Sequence, residues 1–264
     1  MIARLAALIC ALVAGGPALA GTEVLPMSVD GRGFVLAQPE GATGPLPLVL
    51  ALAEAGSDAV RMQRGLPLLD TGRKTAFRVA YLGASRFVAP DGRRVTAWND
   101  GVCCGGGIRP EVDDLGYLAD VIAHLDGLGL VAPGREIAVV GHSNGAQMAY
   151  RLVCAKGARV FALVALSGGL AVRDCGPLQG LRALGLSGTE DDRYPPEGGP
   201  SAFDPRILHD SPQAAGDSLA AAGASFRWVP VAGAGHAMAS LDRRLSATTG
   251  TGLAATVAEF LFPE

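Results

Sequence analysis

Apolar residues are arranged along the chain in short continuous runs separated by longer amphipathic stretches. Continuous runs of about four to eight apolar residues are typical of strands that are buried on both faces, as in a parallel sheet. These runs lie at Leu46–Leu52, at Phe77–Leu82, from Ile137 onward, at Phe161–Ser167 and at Arg182–Ser187, with less apolar candidate strands at Gly33–Ala37 and Ser225–Val231.

The stretches between the runs carry apolar residues at helical spacing. From Glu111 to Leu128 the apolar positions recur at three- and four-residue intervals, which predicts a helix that packs against the sheet. Further helices are predicted before Leu69, at Ala146–Cys154, at Gln213–Ala222 and at Thr251–Phe260. Because strands and helices alternate, the sequence predicts an α/β fold with a mostly parallel central sheet and helices on both faces.

The first twenty residues have the pattern of a secretory signal peptide. A short basic start, Met1–Arg4, precedes the apolar run Leu5–Ala14, and Pro17–Ala20 ends in the small residues that signal peptidases prefer. We therefore expect cleavage after Ala20 and a secreted or periplasmic product, residues 21–264, that forms one catalytic domain. A membrane anchor or a buried N-terminal helix is the alternative interpretation.

Composition and charge narrow the range of partners. The chain has 264 residues, of which 49% are hydrophobic and 18% charged, a globular composition. Its net charge is -3 and its basic residues form no cluster with aromatic ones, so nucleic acid is not an expected partner. After signal cleavage no run is apolar enough to cross a membrane, and no membrane partner is expected.

Four cysteines remain after the expected cleavage. An even number of cysteines in an exported protein favours disulfides over metal ligation. We expect Cys154 to pair with Cys175 or with a cysteine of the Cys103–Cys104 loop, and buried free thiols are the alternative.

The stretch Gly141–Gly145 has the form of a nucleophile elbow. An apolar run that starts at Ile137 stops at Ser143, which has glycines two positions before and after it, and a helical pattern begins at Ala146. Such a serine lies on a sharp strand-to-helix turn, where glycines allow other backbone to approach closely. Ser143 is therefore a candidate nucleophile.

A serine nucleophile needs a base and an orienting carboxylate, because its hydroxyl is inert at neutral pH unless its proton is removed. Functional groups in parallel sheets collect at the carboxyl ends of the strands. Asp191 follows the candidate strand that ends at Ser187, and His236 follows the candidate strand that ends at Val231. The order Ser143, Asp191, His236 is that of an α/β-hydrolase triad.

Other residues compete for these roles. Asp191 is preferred over the adjacent acids Glu190 and Asp192, although this acidic run also fits a solvated turn. His236 follows a late strand on a loop of small residues, whereas the other histidines are expected to be structural or to pack beside the nucleophile. These are His124, His142 and His209.

Several motifs together resemble the polyhydroxybutyrate depolymerase and feruloyl esterase group of secreted α/β-hydrolases. The resemblance runs from about Gly33 to the C-terminus. Its motifs are Gly141–Gly145 with Met148–Leu152, Trp98–Gly101, Cys103–Gly105, Val112–Tyr117, and Gly188–Asp191 with Glu197–Gly199. The resemblance implies hydrolysis of carboxylic esters through an acyl-enzyme, with Ser143 as nucleophile, His236 as base and then acid, and Asp191 as its orienting group. No cofactor and no metal are expected.

The chain departs from this group after Leu52. Ala53-Glu54 stands where the group usually has His-Gly, just before the loop that completes the oxyanion hole. We expect the oxyanion donors to be the backbone N–H groups of Asn144 and Ala55, and Glu54 to weaken the hole if its carboxylate faces it. The expected substrate contacts are Trp98, His142 and Met238, the last in place of a tryptophan that the group carries after the histidine.

The sequence therefore predicts a secreted or periplasmic serine esterase. Its expected substrates are short hydroxyalkanoate oligomers or feruloyl- and acetyl-type esters, as small molecules or oligomers. One alternative is a binding protein that keeps the triad but has lost efficient turnover through the change at Ala53-Glu54. Another is a peptidase on the same fold.

Overall fold

The computed structural model describes residues 21–88, 92–101, 112–134, 136–156, 159–170, 175–202, 204–205 and 207–264. The predicted signal peptide and the cysteines Cys103 and Cys104 lie outside the described residues. The strands are β1 Thr22–Val29, β2 Arg32–Pro39, β3 Leu48–Leu52, β4 Arg78–Leu82, β5 Arg86–Val88, β6 Arg94–Thr96, β7 Ile137–His142, β8 Val160–Leu166, β9 Arg182–Gly188, β10 Gly199–Pro200, β11 Leu208–His209 and β12 Ser225–Val231. The helices are α1 Ala59–Gly65, α2 Asp114–Gly127, α3 Asn144–Lys156, α4 Pro212–Ala221, α5 Met238–Thr249 and α6 Leu253–Leu261, with a 3₁₀ turn at Leu68–Thr71.

Within the described residues the main sheet has eight strands, in the order β1-β2-β4-β3-β7-β8-β9-β12. The hairpin of β1 and β2 is antiparallel, β2 pairs antiparallel with β4, and the pairs from β4 to β12 are parallel. Strands β3, β4 and β7 are buried along their whole length, as their continuous apolar runs predict. The predicted fold class, a mostly parallel sheet with helices on both faces, is confirmed.

Two apolar cores lie on opposite faces of this sheet. One core contains residues of α2, α3 and α4, including Leu118, Met148 and Leu219. The other contains residues of α1, α5 and α6, including Met62, Leu241 and Val257. Helices therefore cover both faces of the sheet, and the loops described below lie at the carboxyl ends of its strands.

A disulfide joins Cys154, near the end of α3, to Cys175. This is one of the two pairings that the cysteine pattern predicts for Cys154. None of the described helices is long and apolar enough to cross a membrane.

Candidate active site

Ser143 lies on the sharp turn between β7 and α3. Its φ angle is 57°, in the left-handed region that non-glycine residues rarely adopt. Its N–H donates a hydrogen bond of 2.9 Å to the carbonyl of Leu166 at the end of β8. A residue in such a sparsely populated conformation persists only where its surroundings hold it there. The neighbouring strand and the start of α3 provide that restraint.

The two glycines of the elbow are required by close backbone contacts. A Cβ atom at Gly141 would lie 2.2 Å from the carbonyl oxygen of Gly145. A Cβ atom at Gly145 would lie 2.3 Å from the carbonyl oxygen of Leu52 and 2.5 Å from that of Ala53, at the end of β3. These atoms are backbone and cannot move aside, so the glycine spacing has a steric cause.

The side chains of Ser143, His236 and Asp191 form a continuous hydrogen-bonded chain. His236 Nε2 lies 2.9 Å from Ser143 Oγ, and His236 Nδ1 lies 3.1 Å from both carboxylate oxygens of Asp191. Asp191 follows β9 and His236 follows β12, so three strand ends contribute one residue each. The sequence nominated these three residues, and the structure places them within hydrogen-bonding distance of one another.

Asp191 is held ionised by its neighbours. Burial raises the pKa of Asp191, but the hydrogen bond and the charge of His236 and the N–H of Tyr194 outweigh it, so the pKa is lowered overall. The backbone N–H groups of Arg193 and Tyr194 donate to Asp191 Oδ1 at 3.1 and 3.0 Å. An ionised, fixed carboxylate can orient the imidazole and stabilise it when it becomes protonated.

A stack of rings supports His236 from one side, and this arrangement was not predicted. The ring of Tyr194 stacks on His236 with a centroid distance of 5.5 Å, and on His209 with 4.0 Å. The Tyr194 hydroxyl donates to Gln147 Oε1, one turn into α3, at 2.6 Å. The sequence signal for Tyr194 is its place three residues after Asp191, where its backbone N–H reaches the carboxylate.

An open cleft of about 620 Å³ leads to His236. It is bounded by the loop after β3 and by the loops that carry Asp191 and His236, so its walls mix charged and small residues. They are Glu54, Ala55, Gly56, Ser57, Arg61, Asp192, Arg193, His236, Ala237 and Met238. Met238, a predicted substrate contact, is among them, and this role stays a prediction.

No family model and no curated protein matches the sequence. Solved structures do resemble it. A ferulic acid esterase from Anaeromyces mucronatus is 14% identical with a TM-score of 0.56, over 89% of this chain and 92% of that one. A carboxylesterase from Bacillus cereus is 16% identical with a TM-score of 0.57, over 88% and 94% of the two chains. An S-formylglutathione hydrolase from Staphylococcus aureus is 12% identical with a TM-score of 0.60, over 93% and 98%.

The chain has the α/β-hydrolase fold. In this fold the nucleophile stands on a strand-to-helix elbow, and the oxyanion hole is made by the N–H of the next residue and by an N–H of the loop after β3. By this rule the predicted donors are Asn144, at the start of α3, and Ala55, and their role stays a prediction. Among the described residues neither of these N–H groups donates to another acceptor.

Trp98 corrects one prediction about this hydrolase-fold site. Its side chain is completely buried, so it does not line the cleft as a substrate contact. Its indole N–H donates to the carbonyl of Ala53 at 2.8 Å, and its backbone N–H donates to Asn144 Oδ1 at 2.7 Å. Trp98 therefore joins the loop after β3 to the nucleophile elbow and positions both.

His142 corrects a second prediction. It is also completely buried, so it offers no exposed surface to a substrate in the cleft. Its Nε2 lies 2.9 Å from the carbonyl oxygen of His236, and its Nδ1 lies 3.5 Å from Glu54 Oε2. Burial lowers the pKa of His142, more than the charge of Glu54 raises it, so the ring is neutral near pH 7. Glu54 thus faces His142 while about a third of its side chain is exposed.

Proposed function

We propose that the protein is a serine esterase that hydrolyses carboxylic esters through an acyl-enzyme. The observation that carries this proposal is the hydrogen-bonded chain from Ser143 through His236 to Asp191, built on an elbow with a left-handed serine. The solved structures that resemble the chain include a carboxylesterase and a ferulic acid esterase, which supports an ester substrate.

The geometry suits acyl transfer. Ser143 Oγ attacks the ester carbonyl while His236 Nε2 takes its proton, and Asp191 orients and stabilises the resulting imidazolium. The N–H groups of Asn144 and Ala55 stabilise the oxyanion of the tetrahedral intermediate. His236 then gives the proton to the leaving alcohol, and a water molecule, activated by the same histidine, hydrolyses the acyl-enzyme.

The walls of the cleft favour small, partly polar esters. Arg61 and Arg193 line it together with Met238 and with the acids Glu54 and Asp192, so we propose a short hydroxyalkanoate oligomer whose terminal carboxylate contacts the arginines and whose acyl chain contacts Met238. Feruloyl- and acetyl-type esters are the second substrate class. We place the enzyme outside the cytosol, secreted or periplasmic, because disulfides such as Cys154–Cys175 persist in oxidising compartments.

A panel of nitrophenyl esters, hydroxybutyrate dimers and trimers, ethyl ferulate and peptide anilides tests the proposal. We expect ester hydrolysis that Ser143→Ala abolishes, with little cleavage of the anilides. Faster cleavage of anilides than of esters would make the protein a peptidase. Binding of these esters without turnover would favour a binding protein whose turnover is blocked.

A further inference from the structure

A buried ring nitrogen of His142 faces a carboxylate without a hydrogen between them. His142 Nε2 lies 2.9 Å from the carbonyl oxygen of His236, and a carbonyl only accepts, so Nε2 carries the hydrogen of the neutral ring. Nδ1 then presents a lone pair. It is buried, has no hydrogen-bond partner among the described residues, and lies 3.5 Å from Glu54 Oε2.

This distance does not fit a hydrogen bond but fits two ligands of one ion. N–H···O bonds measure about 2.7–3.2 Å. Two ligands of a tetrahedral Zn²⁺, with metal bonds of about 2.0–2.1 Å, lie about 3.3–3.4 Å apart. The separation of 3.5 Å between Nδ1 and Oε2 is close to that value. A cation between them would satisfy two acceptors that otherwise face each other.

His236 supplies a third ligand. One ligating atom each of Glu54, His142 and His236 lies within 4.8 Å of the other two. His236 Nδ1 is held by Asp191, so Nε2, which lies 2.9 Å from Ser143 Oγ, is the nitrogen that would bind the ion. Two histidines and a carboxylate form a donor set that Zn²⁺ prefers.

Both histidines are also oriented as metal ligands are. A ligating histidine almost always donates its other N–H to a carboxylate or to a backbone carbonyl. His236 has Asp191 in that position, and His142 has the carbonyl of His236. Glu54 is partly exposed on the cleft wall and gives an ion a route from solvent.

We propose that Glu54, His142 and His236 form a divalent-metal site, best suited to Zn²⁺, that reversibly inhibits the protein by taking His236 Nε2 from Ser143. The ion is an inhibitor and not a cofactor of the reaction. Metal binding stands independently of the esterase proposal, whereas inhibition rests on it.

Metal binding is measured with Co²⁺ as a visible-absorption probe, and by calorimetry with Zn²⁺, on the untagged protein freed of metal by a chelator. We expect one ion per chain, with Co²⁺ displaced by Zn²⁺. Glu54→Gln and His142→Asn each weaken binding at least tenfold, and His124→Gln, at an exposed helical position, leaves it unchanged. Thermal melts check that each variant is folded. The absence of a stoichiometric site, or full affinity in folded Glu54→Gln, overturns the proposal.

Inhibition is measured by the rate at which a fluorophosphonate labels Ser143 and by hydrolysis of nitrophenyl acetate, each variant being compared with its own chelator-treated rate. Zn²⁺ is expected to slow both in the wild type, EDTA to restore them, and Glu54→Gln to lose most of this sensitivity. Stoichiometric Zn²⁺ binding in a chain that hydrolyses no ester would support the metal-site proposal and refute the esterase proposal. Hydrolysis at an unchanged rate with Zn²⁺ bound would keep the esterase and refute the inhibition.

Discussion

Two neighbouring turns at the carboxyl edge of the sheet are built in opposite ways. β3 and β7 pair in parallel, with Leu52 opposite Gly141, so the loop after β3 and the elbow after β7 begin side by side. The elbow from Gly141 to Gly145 is buried throughout and held by backbone contacts. The loop from Glu54 to Ser57 is partly exposed and carries a charged side chain.

The difference separates two kinds of constraint. Steric contacts fix the elbow, so the glycine spacing in its sequence predicts its geometry. In the proposed reaction the loop after β3 contributes an N–H at Ala55, which many sequences can supply, and its partly exposed side chains are less constrained than the elbow glycines. We therefore expect backbone packing to set the position of the nucleophile, and side-chain charge in the loop to set the strength of the proposed oxyanion hole.

The largest expected effect comes from breaking the elbow with Gly145→Ala. The new Cβ atom would overlap the carbonyl oxygens of Leu52 and Ala53, and backbone must shift to relieve it. Overpacking of this kind costs about 1–3 kcal/mol or more, so we expect a lower melting temperature and loss of esterase activity. Gly127→Ala, at the end of α2 with open space around its Cβ position, is the control and should melt no lower than the wild type. Equal melting of both variants would contradict the steric account.

Trp98→Phe tests the link between the two turns. It removes the N–H that donates to the buried carbonyl of Ala53, and an unsatisfied buried acceptor costs about 1–3 kcal/mol. We expect lower stability in chemical denaturation together with a reduced kcat. Trp228→Phe removes a comparable bond, from the indole N–H to Ser187 Oγ, on the partly buried edge strand β12, and should cost less. A kcat unchanged by Trp98→Phe would show that catalysis does not depend on the hydrogen bond from Trp98 to the loop after β3.

Glu54→Gly changes the charge of the loop and is expected to raise ester hydrolysis. Two unit charges at 4 Å interact by about 1 kcal/mol in water, which corresponds to about a fivefold rate. The solvent value is the lower limit, because the Glu54 side chain is only about a third exposed. Rates are measured with a chelator present, and Glu54→Gln separates the charge from the loop conformation. If neither variant is faster than the wild type, Glu54 does not weaken the oxyanion hole.

The smallest effect concerns the ring stack behind His236. Burial lowers the pKa of His209 from 6.5 to about 4. Between these values the unfolded chain binds a proton that the folded chain does not, so stability falls as the pH drops from 6.5 to about 4. We expect the melting temperature of His209→Phe, which retains a ring against Tyr194, to fall less over this range. The exposed His124→Gln should behave like the wild type, and an equal slope in His209→Phe would contradict the assignment.

The sequence predicted the elements whose apolar pattern is strong. The buried strands and the amphipathic helix α2 lie within a few residues of their predicted positions. β1 was missed because it is an edge strand without a buried side chain, and α5 because only Leu241 and Leu245 of its residues are buried. Both elements are held by contacts with neighbours, which a local pattern does not reveal.

The same limit applies to the site. Ser143, Asp191 and His236 each follow a recognisable strand, so strand-end reasoning was sufficient to nominate them. The approach of Glu54 to His142 depends on the register of β3 against β7, and the burial of Trp98 depends on the loop that packs over the elbow. These features arise from tertiary packing, and residue spacing along the chain does not encode them.

Covalent labelling by a fluorophosphonate tests the central claim, that Ser143 is an activated nucleophile, most directly. With metal removed, we predict stoichiometric labelling of the wild type, located at Ser143 by mass spectrometry and lost in Ser143→Ala. Ser167→Ala is the matched control, because Ser167 also follows a parallel strand and has a positive φ angle, of 45°. Ser143 should still be labelled in this variant. An unlabelled wild type, or labelling that survives in Ser143→Ala, would contradict the account.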